Sequence, residues 1–329
     1  MVSGNGIIRV GVVHNPRSRR NRSGRVHSPV FGHAAPDVAY AEPYSLHELK
    51  ETMRHFAAQE VGLIVADGGD GTIREVLSAM VPAFGDRLPA VAVLPSGNAN
   101  LIASDVGPDG SRDTALARLL VGARAGHAGS ESRARELLRV EWPDASHATM
   151  HGMFMGCAGF THATNFARQQ VHGRAIDHKP GVALAVAAAL AQALFGSDKS
   201  TWRVGEMLNI QHAGGSVGEQ RRFIFLATTL HRLVFGLWPF WNSEAASADG
   251  GLHWLDIAAP PRRLGRALPA LLKGRPKPWM EAAGYRSGQS ARMELTLDHP
   301  LVIDGEAFAP GPAKRVMVSA GPRVEFVLP

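Results

Sequence analysis

The run Val61-Gly-Leu-Ile-Val-Ala-Asp-Gly-Gly-Asp-Gly-Thr72 sets an apolar segment fit for a buried strand directly against three glycines interleaved with Asp67, Asp70 and Thr72. A helical segment, Ile73–Met80, follows at once. A strand, a loop without side-chain bulk and a helix start together let backbone amides approach phosphate oxygens, and the helix N-terminus adds partial positive charge. The segment is not a P-loop, because no Lys-Ser/Thr pair follows the glycines, and it lacks G-x-G-x-x-G. Glycines more often serve only a tight turn. Three of them around one aspartate, straight after a buried strand, favour an anion-binding loop.

The 329 residues exceed one average domain and point to two. Alternating strand and helix patterns fill the first part: strands at Ile7–Val13, Val61–Ala66 and Ala90–Leu94, helices at Leu46–Gln59, Ile73–Met80 and Thr114–Val121. That alternation predicts an α/β nucleotide-binding domain with a parallel sheet over residues 1–130. Gly122–Ser132 reads as a boundary. Beyond it, strands at 137–142, 149–155, 207–211, 223–228, 252–257, 293–297 and 316–318 predict a β-rich, sandwich-like domain over 131–311. Helical insertions are expected at 163–171, 182–195 and 263–273.

Cys157 is the sole cysteine, so no internal disulfide forms; the residue suits a reducing compartment and reads as packing material. No secretory leader is expected at the N-terminus. The apolar run Val182–Phe195 is too short to span a bilayer, and Phe223–Trp241 is broken by His231-Arg232. A net charge of +6 favours anionic partners such as ATP and acidic lipid headgroups. No module interleaving aromatic and basic residues appears, so nucleic acid is not expected. Trp238, Phe240 and Trp241 cluster in a stretch that reads first as core, and second as an interfacial lip.

Gly68-Gly-Asp-Gly-Thr72 resembles the nucleotide loop of the diacylglycerol kinase catalytic domain superfamily, which includes bacterial lipid kinases, sphingosine kinases and ceramide kinases. The same loop recurs in NAD kinases and phosphofructokinases. Three further segments resemble the lipid kinases: Asn15-Pro16, Leu94-Pro-Ser-Gly-Asn-Ala-Asn100 with Ala103 and Gly107, and Ile303-Asp-Gly-Glu306. The resemblance implies an ATP- and Mg2+-dependent kinase acting on a hydroxyl of diacylglycerol, ceramide or a sphingoid base. NAD kinase and a catalytically inactive lipid- or nucleotide-binding relative are the alternatives. It further implies a cytoplasmic protein held peripherally at the anionic inner face of the membrane, is compatible with a homodimer, and suggests that 312–329 returns to the first domain.

Residue by residue, the resemblance assigns Asn15, Gly68, Gly69, Gly71, Thr72, Gly97, Asn98, Asn100 and Glu306 to the nucleotide. Asp70 or Asp304 is the proton acceptor, and this choice stays open; an isolated Asp-Gly also makes a strand-connecting turn. Arg17, Arg19, Arg20 and Arg22 offer charge to the phosphates, although for each arginine taken singly a solvated basic loop is the commoner reading. Asp249 is a metal-ligand candidate, a turn being equally compatible. The chain departs from the family pattern at Asn98 (threonine expected), Arg74 (asparagine before Glu75), Ala248 (aspartate) and Thr161, where relatives often carry an acidic residue near the Gly156–Phe160 turn.

Overall fold

The computed structural model describes residues 6–18, 21, 38–97, 99–108, 110–164, 203–212, 215–241 and 251–329. Asn98, Asp249, Ala248, Arg19, Arg20, Arg22 and the expected helix at 182–195 lie outside the described residues, as does most of the one at 163–171. Two compact units emerge: residues 1–137 with 322–329, and residues 138–321.

In the first unit, β1 (Val10–His14), β2 (Val38–Ala41), α1 (Leu46–Ala58), β3 (Leu63–Gly68), α2 (Asp70–Phe84), β4 (Ala90–Pro95), α3 (Leu101–Val106) and α4 (Arg112–Arg124) follow in order. The strands pair in parallel as β2-β1-β3-β4, and the chain's end adds Phe326 in parallel beside Val91. β1 and β3 are buried throughout, as parallel strands covered on both faces must be. One face (Val10, Val12, Leu63, Val65, Ala92, Leu94) packs on Ala115, Leu116, Leu119 and Ala123 of α4. On α1, Leu49, Met53 and Phe56 are buried, and Phe56 lies against Gly11, where an added Cβ would sit 2.6 Å from the ring. Only glycine admits that packing.

The second unit is strand-dominated, with β5 (Glu131–Glu141), β6 (Met150–Gly152), β7 (Phe154–Ala158), β8 (Glu206–His212), β9 (Gly215–Thr228), β10 (Leu252–Ala258), α5 (Leu264–Leu272), α6 (Trp279–Ala282), β11 (Tyr285–Ser290), β12 (Arg292–Leu297), β13 (Leu301–Ile303), β14 (Glu306–Phe308) and β15 (Arg315–Leu328). The unit division falls inside β5 and again inside β15. β9 organises the antiparallel sheet: residues 215–222 pair with β8, and 224–228 pair with β7 and, on the other edge, β10. Alternate residues of β7, β8, β9, β12 and β15 (Met155, Cys157, Leu208, Ile210, Phe225, Ala227, Met293, Leu295, Val316, Val318) turn inward and make one apolar core. α5 buries Leu264, Ala267, Ala270 and Leu271 and leaves its other side to solvent. Within the sequence-based strand list, 316–318 extends to a 14-residue strand; β2 and β11 lie outside that list, and β13 and β14 flank the Asp304-Gly305 turn.

Candidate active site

β3 and β4 are neighbours in register, with Gly68 beside Pro95, so the loops leaving their carboxyl ends run side by side. This edge is where open α/β sheets bind ligands. Gly69 alone separates β3 from α2 and serves as its N-cap, without any side-chain cap. The amides of the first helical turn have no acceptor within the helix. A Cβ on Gly97 would lie 2.6 Å from the Gly69 Cα, and one on Gly69 would lie 3.0 Å from the Gly97 Cα. The two backbones therefore touch, and neither position tolerates a side chain without a shift. The Ser96 N–H donates to the Gly68 carbonyl at 2.9 Å and ties the loops further.

Side chains complete the cradle. Asn100, in the left-handed region at φ 50°, accepts from the Gly97 N–H at 2.9 Å and donates to its carbonyl at 3.2 Å. Asp70 opens α2, and its Oδ1 accepts from the Ile102 N–H at 2.9 Å, joining the glycine loop to the start of α3. Burial pushes the Asp70 carboxyl above the ordinary carboxylate range, against the pull of the amides at 100–102. Asn15 donates from Nδ2 to the Thr72 hydroxyl at 2.7 Å, while its own N–H reaches the Asp67 carbonyl at 3.0 Å. The first unit thus gathers Asn15, Gly68, Gly69, Asp70, Gly71, Thr72, Gly97 and Asn100 at one edge of its sheet.

Beneath the loops lies a buried polar network that the sequence reading missed. Asp67, wholly buried, faces His14 Nδ1 at 2.5 Å, the Ser96 hydroxyl at 2.7 Å and the Arg112 guanidinium at 3.2 Å. Arg112 also donates to Ser96 Oγ at 2.7 Å and to Asn21 Oδ1 at 2.5 Å. Asn21 in turn donates to the Asn15 carbonyl at 2.7 Å. One arginine at the start of α4 therefore fixes the turn after β1 and the ends of β3 and β4. The only signal in the sequence was an aspartate and a serine closing two buried strands.

Asp304 and Glu306 stand in the second unit. Asp304 (φ 44°) and Gly305 (φ 86°) form the two-residue turn between β13 and β14, with Ile303 opposite Glu306. The Asp304 carboxylate accepts from the Phe154 N–H at 2.9 Å and from the Met153 N–H at 3.1 and 3.3 Å. Gly152 lies so close that any Cβ there would collide with Asp304 Oδ2. The motif is both a turn and a buried carboxylate. Glu306 is half-buried on β14. Thr161 is buried and donates to the Pro300 carbonyl at 2.9 Å, and Arg74 is buried with its guanidinium 3.5 Å from Glu75. Burial raises the Cys157 thiol far above its usual range, which suits packing. Among the described residues no three His, Cys, Asp or Glu side chains converge as a metal site.

This arrangement can be set beside known proteins. Residues 9–129 match the diacylglycerol kinase catalytic domain. The match covers the glycine loop, the Asn15-Pro16 turn and the Pro95–Asn100 segment. Curated relatives called "Probable lipid kinase YegS", from Shigella flexneri and Escherichia coli, are 44% identical over 62 residues, which is 19% of this chain and 21% of theirs. The aligned stretch thus spans about a fifth of those relatives' length. A solved diacylglycerol kinase structure from Bacillus anthracis aligns over 100% of this chain and 98% of its own at TM-score 0.58 and 12% identity. A second solved chain from that organism aligns over the same shares at TM-score 0.63 and 14% identity. At such identity the likeness is one of fold: an α/β unit followed by a β-rich one.

Proposed function

We propose that the chain is an ATP-dependent lipid kinase that transfers the γ-phosphoryl group to a hydroxyl of a membrane lipid, with diacylglycerol, ceramide or a sphingoid base as acceptor. The observation that carries the reading is the contact of Gly69 with Gly97 at the N-terminus of α2. Two loops that meet at glycines and the first amides of α2 offer donors to a polyphosphate at the carboxyl edge of a parallel sheet. Phosphoryl transfer asks a protein mainly for positioning and charge stabilisation. Fixed amides held by Asn100, Asn15 and the buried Arg112 network meet that requirement.

The acceptor hydroxyl also needs a base. Asp70 suits this role better than Asp304, because burial raises its basicity. The Asp304 oxygens are occupied by the Met153 and Phe154 amides, which suits a carboxylate that holds the corner between β6 and β7. Nucleotide-bound Mg2+ takes most ligands from phosphates and water, with one or two carboxylates. Such an ion would neutralise charge on the transferring group.

The test is a mass-spectrometric screen of lipid classes with purified protein, ATP and Mg2+. A phosphorylated lipid is the expected product, and Asp70→Asn abolishes it while ATP binding persists. Product from NAD but from no lipid would move the assignment to an NAD kinase. Nucleotide binding without any product would assign an inactive relative.

A further inference from the structure

Two segments of the second unit meet at one surface. The Trp238 N–H donates to the Leu272 carbonyl at 3.1 Å, and Gly274 packs under the carbonyls of Trp238 and Phe240. Residues 231–241 and 258–281, from which these contacts come, contain Arg232, Arg262, Arg263, Arg266, Lys273, Arg275 and Lys277 against one acidic residue, Glu281. All seven basic residues are exposed. On the same two segments Phe235 is 72% exposed and Leu272 36% exposed. Phe240 and Trp241 are buried in the same stretch, so packing does not require Phe235 to face water.

The backbone adds a second observation. Phe235 sits in the left-handed region (φ 58°, ψ 20°), and Gly236 follows at φ 68°. A bulky residue in this conformation is a local cost that persists where surroundings enforce it, commonly at functional positions. Here the cost holds an aromatic ring out at the tip of a one-turn 3-10 helix, Val234–Gly236. An exposed aromatic tip on segments rich in exposed cations fits an anionic bilayer, where the ring enters the acyl boundary and the cations meet headgroups.

We infer that this face is a membrane-docking surface for anionic lipid, with Phe235 as its inserted anchor and Lys273 and Arg275 among its headgroup contacts. The inference deepens the lipid-kinase reading and rests on it for its purpose, yet its test needs no turnover. The probe is sedimentation with phosphatidylcholine vesicles, with and without phosphatidylglycerol. Wild type should bind only the anionic vesicles and weaken with salt. The loss should be roughly fivefold per basic residue removed, so K273E/R275E should fall at least about 25-fold. Phe235→Ser should fall by a similar factor while retaining salt sensitivity, and thermal melts check that both variants fold.

Asp70→Asn should bind vesicles like wild type, so a chain that phosphorylates no lipid leaves this measurement intact. Equal binding of both surface variants and wild type would overturn the inference. So would wild-type binding to neutral vesicles alone, no vesicle binding at all, or capture by a duplex oligonucleotide that is indifferent to Phe235.

Discussion

Replacing Asp70 by Asn separates the chemistry of this carboxylate from its architecture. In the native structure Asp70 is buried, and its Oδ1 accepts the Ile102 N–H at 2.9 Å. An asparagine Oδ1 can keep that bond, so the link between the glycine loop and α3 survives. What disappears is a buried negative charge whose desolvation outweighs the pull of the surrounding amides. Losing the proton acceptor should cost roughly 10²–10⁴-fold in turnover, or about 3–5 kcal/mol in the barrier. Stability should move the other way. A carboxyl raised in the folded state binds protons that the unfolded chain has already released. Its stabilising contribution is complete below the unfolded carboxyl pKa, roughly 3.9, and fades as pH rises through the folded value.

At pH 7, therefore, the variant should melt at or above the wild-type temperature, and its advantage should shrink on acidification. Paired thermal melts between pH 4 and pH 8 read the stability, calorimetric ATP titration reads the loop, and a radiometric lipid assay reads turnover. The reasoning fails if the variant is less stable at pH 7 with a gap that closes on acidification, since that sign belongs to a carboxyl lowered by folding. It also fails if turnover survives within tenfold.

Other outcomes follow from the same geometry. Gly97→Ala would force a methyl to 2.6 Å from the Gly69 backbone; ATP affinity should drop at least about tenfold, with roughly 1–3 kcal/mol lost in stability as for an overpacked core, read by calorimetry and denaturant titration. Arg112→Ala leaves the buried Asp67 charge without its guanidinium, and should cost about 3–5 kcal/mol; adding Asp67→Asn should recover part of it in a double-mutant cycle. Asp304→Ala strips the acceptor from the Met153 and Phe154 amides, at about 1–3 kcal/mol for each buried donor left unpaired, measured by urea unfolding. Cys157, buried on β7, should resist iodoacetamide in the folded protein and react at the unfolding midpoint.

The sequence showed the cradle more clearly than the network beneath it, and the reason is spacing. Gly68–Thr72 and Pro95–Asn100 are each contiguous, so their chemistry can be read from a few neighbouring residues. Their meeting is legible too, because consecutive parallel strands place their carboxyl-end loops side by side. The Asp67 network joins residues of β1, β3 and α4 with the segments that follow β1 and β4, at 14, 21, 67, 96 and 112. No local pattern marks Arg112 as belonging with Asp67; only the packing of α4 on the sheet brings it there. The aromatic stretch 230–241 divides: Phe240 and Trp241 are buried as the core reading expects, while Phe235 stands exposed. Its composition suits either a core or a membrane lip, and a positive φ at Phe235, which composition does not encode, decides which ring faces outward. Asp304-Gly305 presents the converse: a turn signature that holds as a turn, while the turn's own left-handed backbone aims a carboxylate at the amides of a distant strand. Local chemistry is thus readable where function needs a contiguous loop, and hidden where it needs one buried side chain to hold several loops at once.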